Sequence, residues 1–259
     1  MKNFIIFCTL IFCTAAVAQT INWYVDGSVY QTITCNSGDS ITPPTPPAKY
    51  GYTFQGWKGF TRIEYIESTG RQYIDTEWYF PEAKDSFEIN ISFEQTTSNR
   101  SWVAICGVNN SNNNAANQYY LFQFDASGSH IVAHNTDSAS SVQWDVVSGK
   151  NTANMYYASD NITTVTYNGV SKTLTGSIYN RGTIPLTLFK NNVFGVNNDT
   201  SFSKIRIYAF SIKVNEVFVR DLVPVLDQDS VPCLFDKVSG ECFYNAGTGQ
   251  FVAGPVVSE

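Results

Sequence analysis

FEINISF, residues 87–93, sets Phe87, Ile89, Ile91 and Phe93 against Glu88, Asn90 and Ser92. Successive side chains of a strand point to opposite faces, so this alternation predicts a strand with one face in a core and the other in water. The pattern continues outward in short segments at 119–124, at 162–167 before Asn168-Gly169, at 186–189, and at 205–214 and 217–223 across Asn215-Glu216. No segment after Thr61 reads as an amphipathic helix. Strands at this spacing, separated by Asn, Gly and Ser, predict an all-β chain built as a two-sheet antiparallel sandwich.

The 259 residues are 43% hydrophobic and 15% charged, too apolar and too weakly charged for a disordered chain. That length suits one large domain, or a large and a small one. Lys2, an apolar run over 4–12 and the A-x-A site Ala16-Val17-Ala18 before Gln19 predict a signal peptide, 1–18. The run is shorter than the roughly 20 residues a spanning helix needs. Cys8 and Cys13 follow Phe7 and Phe12, whereas a lipoprotein cysteine follows a small residue. The expected setting is secreted, periplasmic or cell surface, with no membrane span. Losing Lys2 with the leader takes the net charge from −6 to −7, which argues against nucleic acid as a partner.

Cys35, Cys106, Cys233 and Cys242 follow the leader without a CxxC pair, so neither zinc nor a thioredoxin-type site is suggested. Cys106 is expected as an inert core residue. Cys233 and Cys242 flank a hairpin turn, and register decides whether they can bond. Direct opposition needs positive φ at Lys237-Val238, which a β-branched residue resists; a turn using Gly240 in the left-handed conformation offsets the two cysteines.

Residues 19–60 form a small unit of strands at 21–25, 28–35 and 52–57. Asp26-Gly27 makes its hairpin turn, and TPPTPP (42–47), four of whose six residues lack an N–H, makes an extended connection. The WYVDG opening, the proline-rich middle and the closing GYTFQGW resemble the Listeria/Bacteroides repeat of internalin B type, which implies a small β-grasp-like fold. Residues 61–259 carry YIESTGRQYIDT (65–76), KIRIYAFSIKVNEVFVRDLVPV (204–225) and LFDKVSGECFYNAGTGQFVAGP (234–255). These resemble the concanavalin A-like lectin/glucanase superfamily in its laminin-G-like jelly-roll form. In the closing hairpin, Asp236, Gly240, Asn245, Gly247 and Gly249 stand where turns need them, and the motifs read as scaffold.

Glucanases of that superfamily use an E-x-D-x-x-E strand whose alternate carboxylates share one cleft. No E-x-D occurs here, and Glu64, Glu67, Glu88 and Glu94 read as solvated strand residues. His130 and His134, about 13 Å apart on a strand, cannot share a metal and read as surface histidines. No P-loop, G-x-S-x-G or dinucleotide fingerprint appears. No catalytic residue, metal site or cofactor is therefore expected.

Six of the nine residues 109–117 are Asn, a composition that suits either a ligand-carrying loop or an ordinary mobile one. A calcium site there would want Asp125 or Asp137 nearby. Trp78, Tyr79, Trp102, Tyr119, Tyr120, Trp144, Tyr156 and Tyr157 are candidates for a sugar-stacking face, though a sandwich buries most of its rings. The expected function is non-catalytic binding of carbohydrate or a cell-surface protein. The candidate ligand residues are Asn109, Asn110, Asn112, Asn113, Asn114, Tyr119 and Trp144. A purely structural or adhesive module and a divergent glycosidase are the alternatives.

Overall fold

The structure is a computed structural model. It describes residues 2–8, 19–25, 28–36, 39, 41–50, 52–81, 85–97, 102–109, 118–134, 141–158, 162–175, 184–193 and 202–257. Strands are numbered in chain order. The first four, β1 (Lys2–Cys8), β2 (Gln19–Val25), β3 (Ser28–Cys35) and β4 (Tyr52–Gly59), form one sheet in the order β3-β2-β1-β4. The segment expected as a leader thus supplies an inner strand, antiparallel to β2 and parallel to β4. Ile21, Trp23 and Cys35 form the small core of this unit, with Ile33, Ile41 and Trp57 packed on it.

Short strands β5 (Thr61–Arg62), β6 (Ile66–Glu67) and β7 (Ile74–Asp75) lead into the nine-residue β8 (Phe87–Gln95). Next come β9 (Ala104–Asn109), β10 (Gln118–Phe124), β11 (His130–His134), β12 (Ser141–Asp145), β13 (Lys150–Ala158), β14 (Ile162–Tyr167) and β15 (Val170–Thr175). Then β16 (Thr187–Leu188), β17 (Asn191–Val193), β18 (Ile205–Val214), β19 (Val217–Leu226), β20 (Pro232–Asp236), β21 (Cys242–Phe243) and β22 (Val252–Ala253) follow among the described residues. The larger sheet runs β15-β14-β13-β8-β18-β19-β20-β21, with β5, β6 and β22 off its path. The smaller runs β12-β11-β10-β9-β16-β7, with β17 beside β9. No helix occurs among the described residues, so none is long and apolar enough to cross a membrane.

The alternation at 87–93 organises the larger sheet. β8 is flanked by β13 and β18, both antiparallel, and Phe87, Ile89, Ile91 and Phe93 are buried while the residues between them are half-buried. Ala153, Met155 and Tyr157 of β13, with Phe210 and Ile212 of β18, join them in one core with Phe122, Phe124, Ile131, Ala133 and Trp144 of the facing sheet. A register shift between Ile207 and Ala209 lets β18 bury Ile207 and Phe210, three residues apart, which strict alternation forbids. The apolar sides of two sheets meeting in this way make the antiparallel jelly-roll sandwich.

The turns follow their chemistry. Asn168-Gly169 (φ 46° and 81°) and Asn215-Glu216 (φ 48° and 67°) both lie in the left-handed region that type I′ hairpins demand. In the closing hairpin Gly240 takes φ 75°, Phe235 pairs with Cys242, and Cys233 and Cys242 are therefore offset and both free. This is the second of the two registers open at the level of sequence. Cys106 is fully buried, and that burial pushes its thiol pKa up. Phe60, between β4 and β5, lies in a further apolar cluster with Val225, Cys233 and Phe235, its ring 4.6 Å from that of Phe235.

Candidate ligand-binding cleft

The opening motif and the closing motif are packed on each other. In the turn before β7, the buried Gln72 side chain accepts from the amides of Thr69 (2.9 Å) and Arg71 (3.3 Å) and from the Ser68 hydroxyl (3.2 Å). Gly70 takes φ 101°, a conformation that suits glycine. This turn leaves the Arg71 side chain exposed. The Asn245 Oδ1 accepts the Tyr73 amide at 3.1 Å and the Gly247 amide at 2.8 Å, while its Nδ2 donates to the Gly249 carbonyl. The Tyr73 carbonyl accepts the Ala246 amide and the Arg71 carbonyl that of Thr248, so the pairing is mutual. A Cβ at Gly247 would sit 2.2 Å from the Arg71 carbonyl oxygen, so only glycine permits this approach.

Lys190 and Phe202 build the opposite wall. The buried Phe189 sits at φ 67°, its carbonyl accepts the Ser203 amide at 2.8 Å, and its ring lies 4.9 Å from that of Phe251. Lys190 and Phe202, the chain neighbours of Phe189 and Ser203, are thereby held beside the Tyr73 ring. Tyr73 and Phe202 stand 6.1 Å apart at 52°, and Lys190 Nζ lies 5.0 Å and 4.9 Å from their centroids. Arg71, Tyr73, Lys190, Phe202 and 246–248 enclose a cleft of about 520 Å³. Among the described residues its lining contains two cations, two rings and a threonine hydroxyl, and neither a carboxylate nor an imidazole. Chemically it can stack a ring and hold polar or anionic groups.

Of the residues singled out from sequence, Asn110, Asn112, Asn113, Asn114 and Asp137 lie outside the described residues. Asn109 and Tyr119 are placed by backbone, Asn109 pairing with Gln118 and Tyr119 with Val108. Trp144 is corrected: it is buried in the sandwich core, 6.0 Å from the Tyr167 ring and under Lys172 Nζ, where it cannot stack on a sugar. β12 presents alternate faces, and the register Ile131↔Trp144 turns this one inward. Trp78 and Tyr157 are likewise buried, whereas Tyr79, Trp102 and Tyr156 are exposed.

The histidines divide. His130 is half-buried at the end of β11, its Nδ1 2.9 Å from Asp125 Oδ2 and its Nε2 3.5 Å from Asp145 Oδ1. His134 is not a surface residue: it is 8% exposed, its Nε2 2.8 Å from Gln123 Nε2, and burial lowers its pKa to about 4. Among the described residues no group of three His, Cys, Asp or Glu is arranged to hold a metal. Asp125, named for a calcium site, spends both oxygens on the Ser127 hydroxyl, the Ser129 and His130 amides and the His130 ring.

On the larger sheet Glu67, Glu94 and Glu88 are committed to cations. Arg206 joins Glu67 (2.7 Å) to Glu94 (3.2 Å), and Tyr208 donates to Glu94 at 2.6 Å. Burial, with the Glu94 carboxylate, pushes the Tyr208 phenol up to about 12. Glu88 is drawn in the other direction: burial opposes its ionisation, but Lys213 at 3.1 Å, Asn90 and Asn154 hold it below the usual carboxylate range. An acid catalyst needs a carboxyl that stays protonated near neutral pH, and these surroundings work against one. On the smaller sheet, Asp75 and Asp145 sit on the two edge strands, β7 and β12, five strand spacings or about 24 Å apart.

Arg71, Lys190 and Phe202 were not singled out from sequence. Arg71 and Tyr73 sit in a motif read as scaffold, and nothing local to Lys190 or Phe202 announces that the fold brings them there.

Two mostly antiparallel sheets face to face, with the opening and closing motifs interlocked beside a cleft, define an all-β jelly-roll sandwich. No protein-family model matches the chain, and no curated protein sequence matches it. Among solved structures it is similar to a protein from Bacteroides ovatus whose description as carbohydrate-binding is itself an inference. That likeness has a TM-score of 0.51 at 8% identity and covers 94% of this chain and 70% of the other. Domains LG4-5 of the mouse laminin α1 chain align with a TM-score of 0.41 at 10% identity, covering 71% of this chain and 47% of that one. At such identities the likeness to the Bacteroides ovatus structure shows the fold alone.

Proposed function

We propose that this chain is an exported, non-catalytic carbohydrate-binding protein whose sandwich receives a sugar in the cleft beside the interlocked motifs. The observation that carries this is the pair of rings, Tyr73 and Phe202, held 6.1 Å apart in an open cleft whose described lining offers cations, a hydroxyl and aromatic faces. The C–H face of a pyranose packs on such a ring, and one stacking contact contributes about 0.5–1.5 kcal/mol. A shallow site of this kind has micromolar-to-millimolar affinity. The likeness of fold to a structure described as carbohydrate-binding agrees with this reading.

Calorimetry of the whole folded chain against a polysaccharide panel tests it. At least one polysaccharide should give heat, and Tyr73→Leu should weaken that binding at least fivefold without releasing reducing ends. Heat from no polysaccharide in a folded sample would leave a structural or adhesive role, and reducing ends would make the protein a glycosidase.

A further inference from the structure

The cleft differs in charge from the molecule around it. The chain has 22 acidic and 16 basic residues and a net charge of −6, yet among the described residues the lining carries Arg71 and Lys190 and no acid. Among the described residues, the Arg71 guanidinium has no ion pair or hydrogen bond, whereas Arg206 and Arg220 are both bonded. Lys190 Nζ likewise has no carboxylate and rests over the two rings. Exposed cation–ring contacts of this kind contribute only about 0.5–1 kcal/mol, so the ammonium keeps most of its capacity to donate to an incoming group. The backbone on both sides is fixed, by Gln72 and Thr248 around Arg71 and by the Thr187 hydroxyl donating to the Lys190 carbonyl at 2.7 Å.

We infer that the cleft selects an acidic saccharide, a sugar ring bearing a carboxylate or a sulfate ester, with the ring on Tyr73 and Phe202 and the anion between Arg71 and Lys190. This rests on the carbohydrate reading above and deepens it. A planar guanidinium offers paired N–H donors that match the oxygens of a carboxylate or sulfate, and the lysine adds a point charge. The Thr248 hydroxyl stands in the same lining as a further donor or acceptor for ring hydroxyls. A neutral sugar would stack equally well but would leave both cations unmatched.

The probes are two matched pairs of polymers, polygalacturonate with its methyl ester and dextran sulfate with dextran, titrated into the whole chain by calorimetry. The acidic member of at least one pair should bind at least tenfold more tightly than its neutral partner, and that margin should shrink as salt rises from 50 to 500 mM. The pair that responds tells carboxylate from sulfate. Arg71→Gln and Lys190→Gln should each lower acidic-polymer affinity several-fold while thermal melting stays unchanged. Lys172→Gln, a cation of β15 remote in sequence from the lining, should leave it intact. Equal, salt-insensitive affinity within both pairs would overturn the acidic selectivity and leave carbohydrate binding standing. Loss of affinity by Lys172→Gln as large as by Arg71→Gln would also overturn it, because attraction would then be diffuse. Absence of heat with these four polymers and with the wider panel would sink both readings together.

Discussion

Asn245 and Tyr73, 172 residues apart in the chain, are joined by a 3.1 Å hydrogen bond from the Tyr73 amide to the Asn245 side-chain oxygen. The same oxygen accepts the Gly247 amide at 2.8 Å, so one side chain aligns the end of the sandwich with its beginning. Tyr73 also supplies a ring to the cleft wall. Fold closure and the candidate cleft thus share a residue, and damage to the interlock should be felt at the cleft.

Gly247→Ala tests that coupling. The added Cβ would meet the Arg71 carbonyl oxygen at 2.2 Å, and backbone cannot move aside as a flexible side chain can. We expect a loss of roughly 1–3 kcal/mol in denaturant unfolding, as for other overpacking substitutions, together with weakened ligand binding. A variant with wild-type stability would show that the closing motif is not seated on Arg71.

The opposite sign is expected at Glu216. It occupies the second position of the β18–β19 turn at φ 67°, where a side chain is strained and glycine is not. Glu216→Gly should raise stability by roughly 0.5–1 kcal/mol, read as a higher urea midpoint at unchanged slope. A lower midpoint would mean that Glu216 contributes contacts that outweigh its strain.

Much of the sandwich was legible because strand faces follow a period of two. The segment 87–93 shows it directly, and Asn168-Gly169 and Asn215 mark turns by conformational preference. What was not legible depends on pairing. Trp144 looks like an exposed ring until its register with Ile131 turns it inward. His134 sits in the interior although histidine is usually wet. The cleft was illegible for the same reason: Arg71, Lys190 and Phe202 carry no joint pattern, and only the sheet order brings 71–73 beside 190 and 202. The Asn-rich stretch at 110–117 lies outside the described residues, so its reading as a ligand loop stays an expectation.

His134 predicts a pH dependence. Its folded pKa is about 4 because burial disfavours the charged ring, against roughly 6.5 in the unfolded chain. Between those values the unfolded state binds the extra proton. Stability from this residue is therefore complete above pH 6.5 and declines as pH falls toward 4. The integrated effect is on the order of 3 kcal/mol. Urea titrations at pH 7, 5.5 and 4.5 should show the decline, and His134→Gln should flatten it across that window. An equally steep decline in the variant would assign the acid sensitivity elsewhere.

The last expectation concerns the leader. β1 pairs with β4 from Lys2↔Tyr52 to Cys8↔Gly59, yet the A-x-A site before Gln19 predicts that export removes it. Removal would bare edges of β2 and β4, and an unpaired edge is a hazard if β4 is held by nothing else. Contacts independent of the leader do hold it. The Trp57 indole N–H donates to the Pro44 carbonyl at 3.1 Å, and its ring lies 4.7 Å from Trp23 and 6.4 Å from Tyr30. Phe60, packed on Phe235, ties the far end of β4 to the sandwich. We therefore expect N-terminal sequencing of the exported protein to begin at Gln19. A chain expressed from Gln19 should tumble as one body in NMR relaxation. Recovery of Met1 on the exported protein would sink the secretion reading, and independent tumbling of 19–60 would show that Trp57 and Phe60 do not suffice to seat the small sheet.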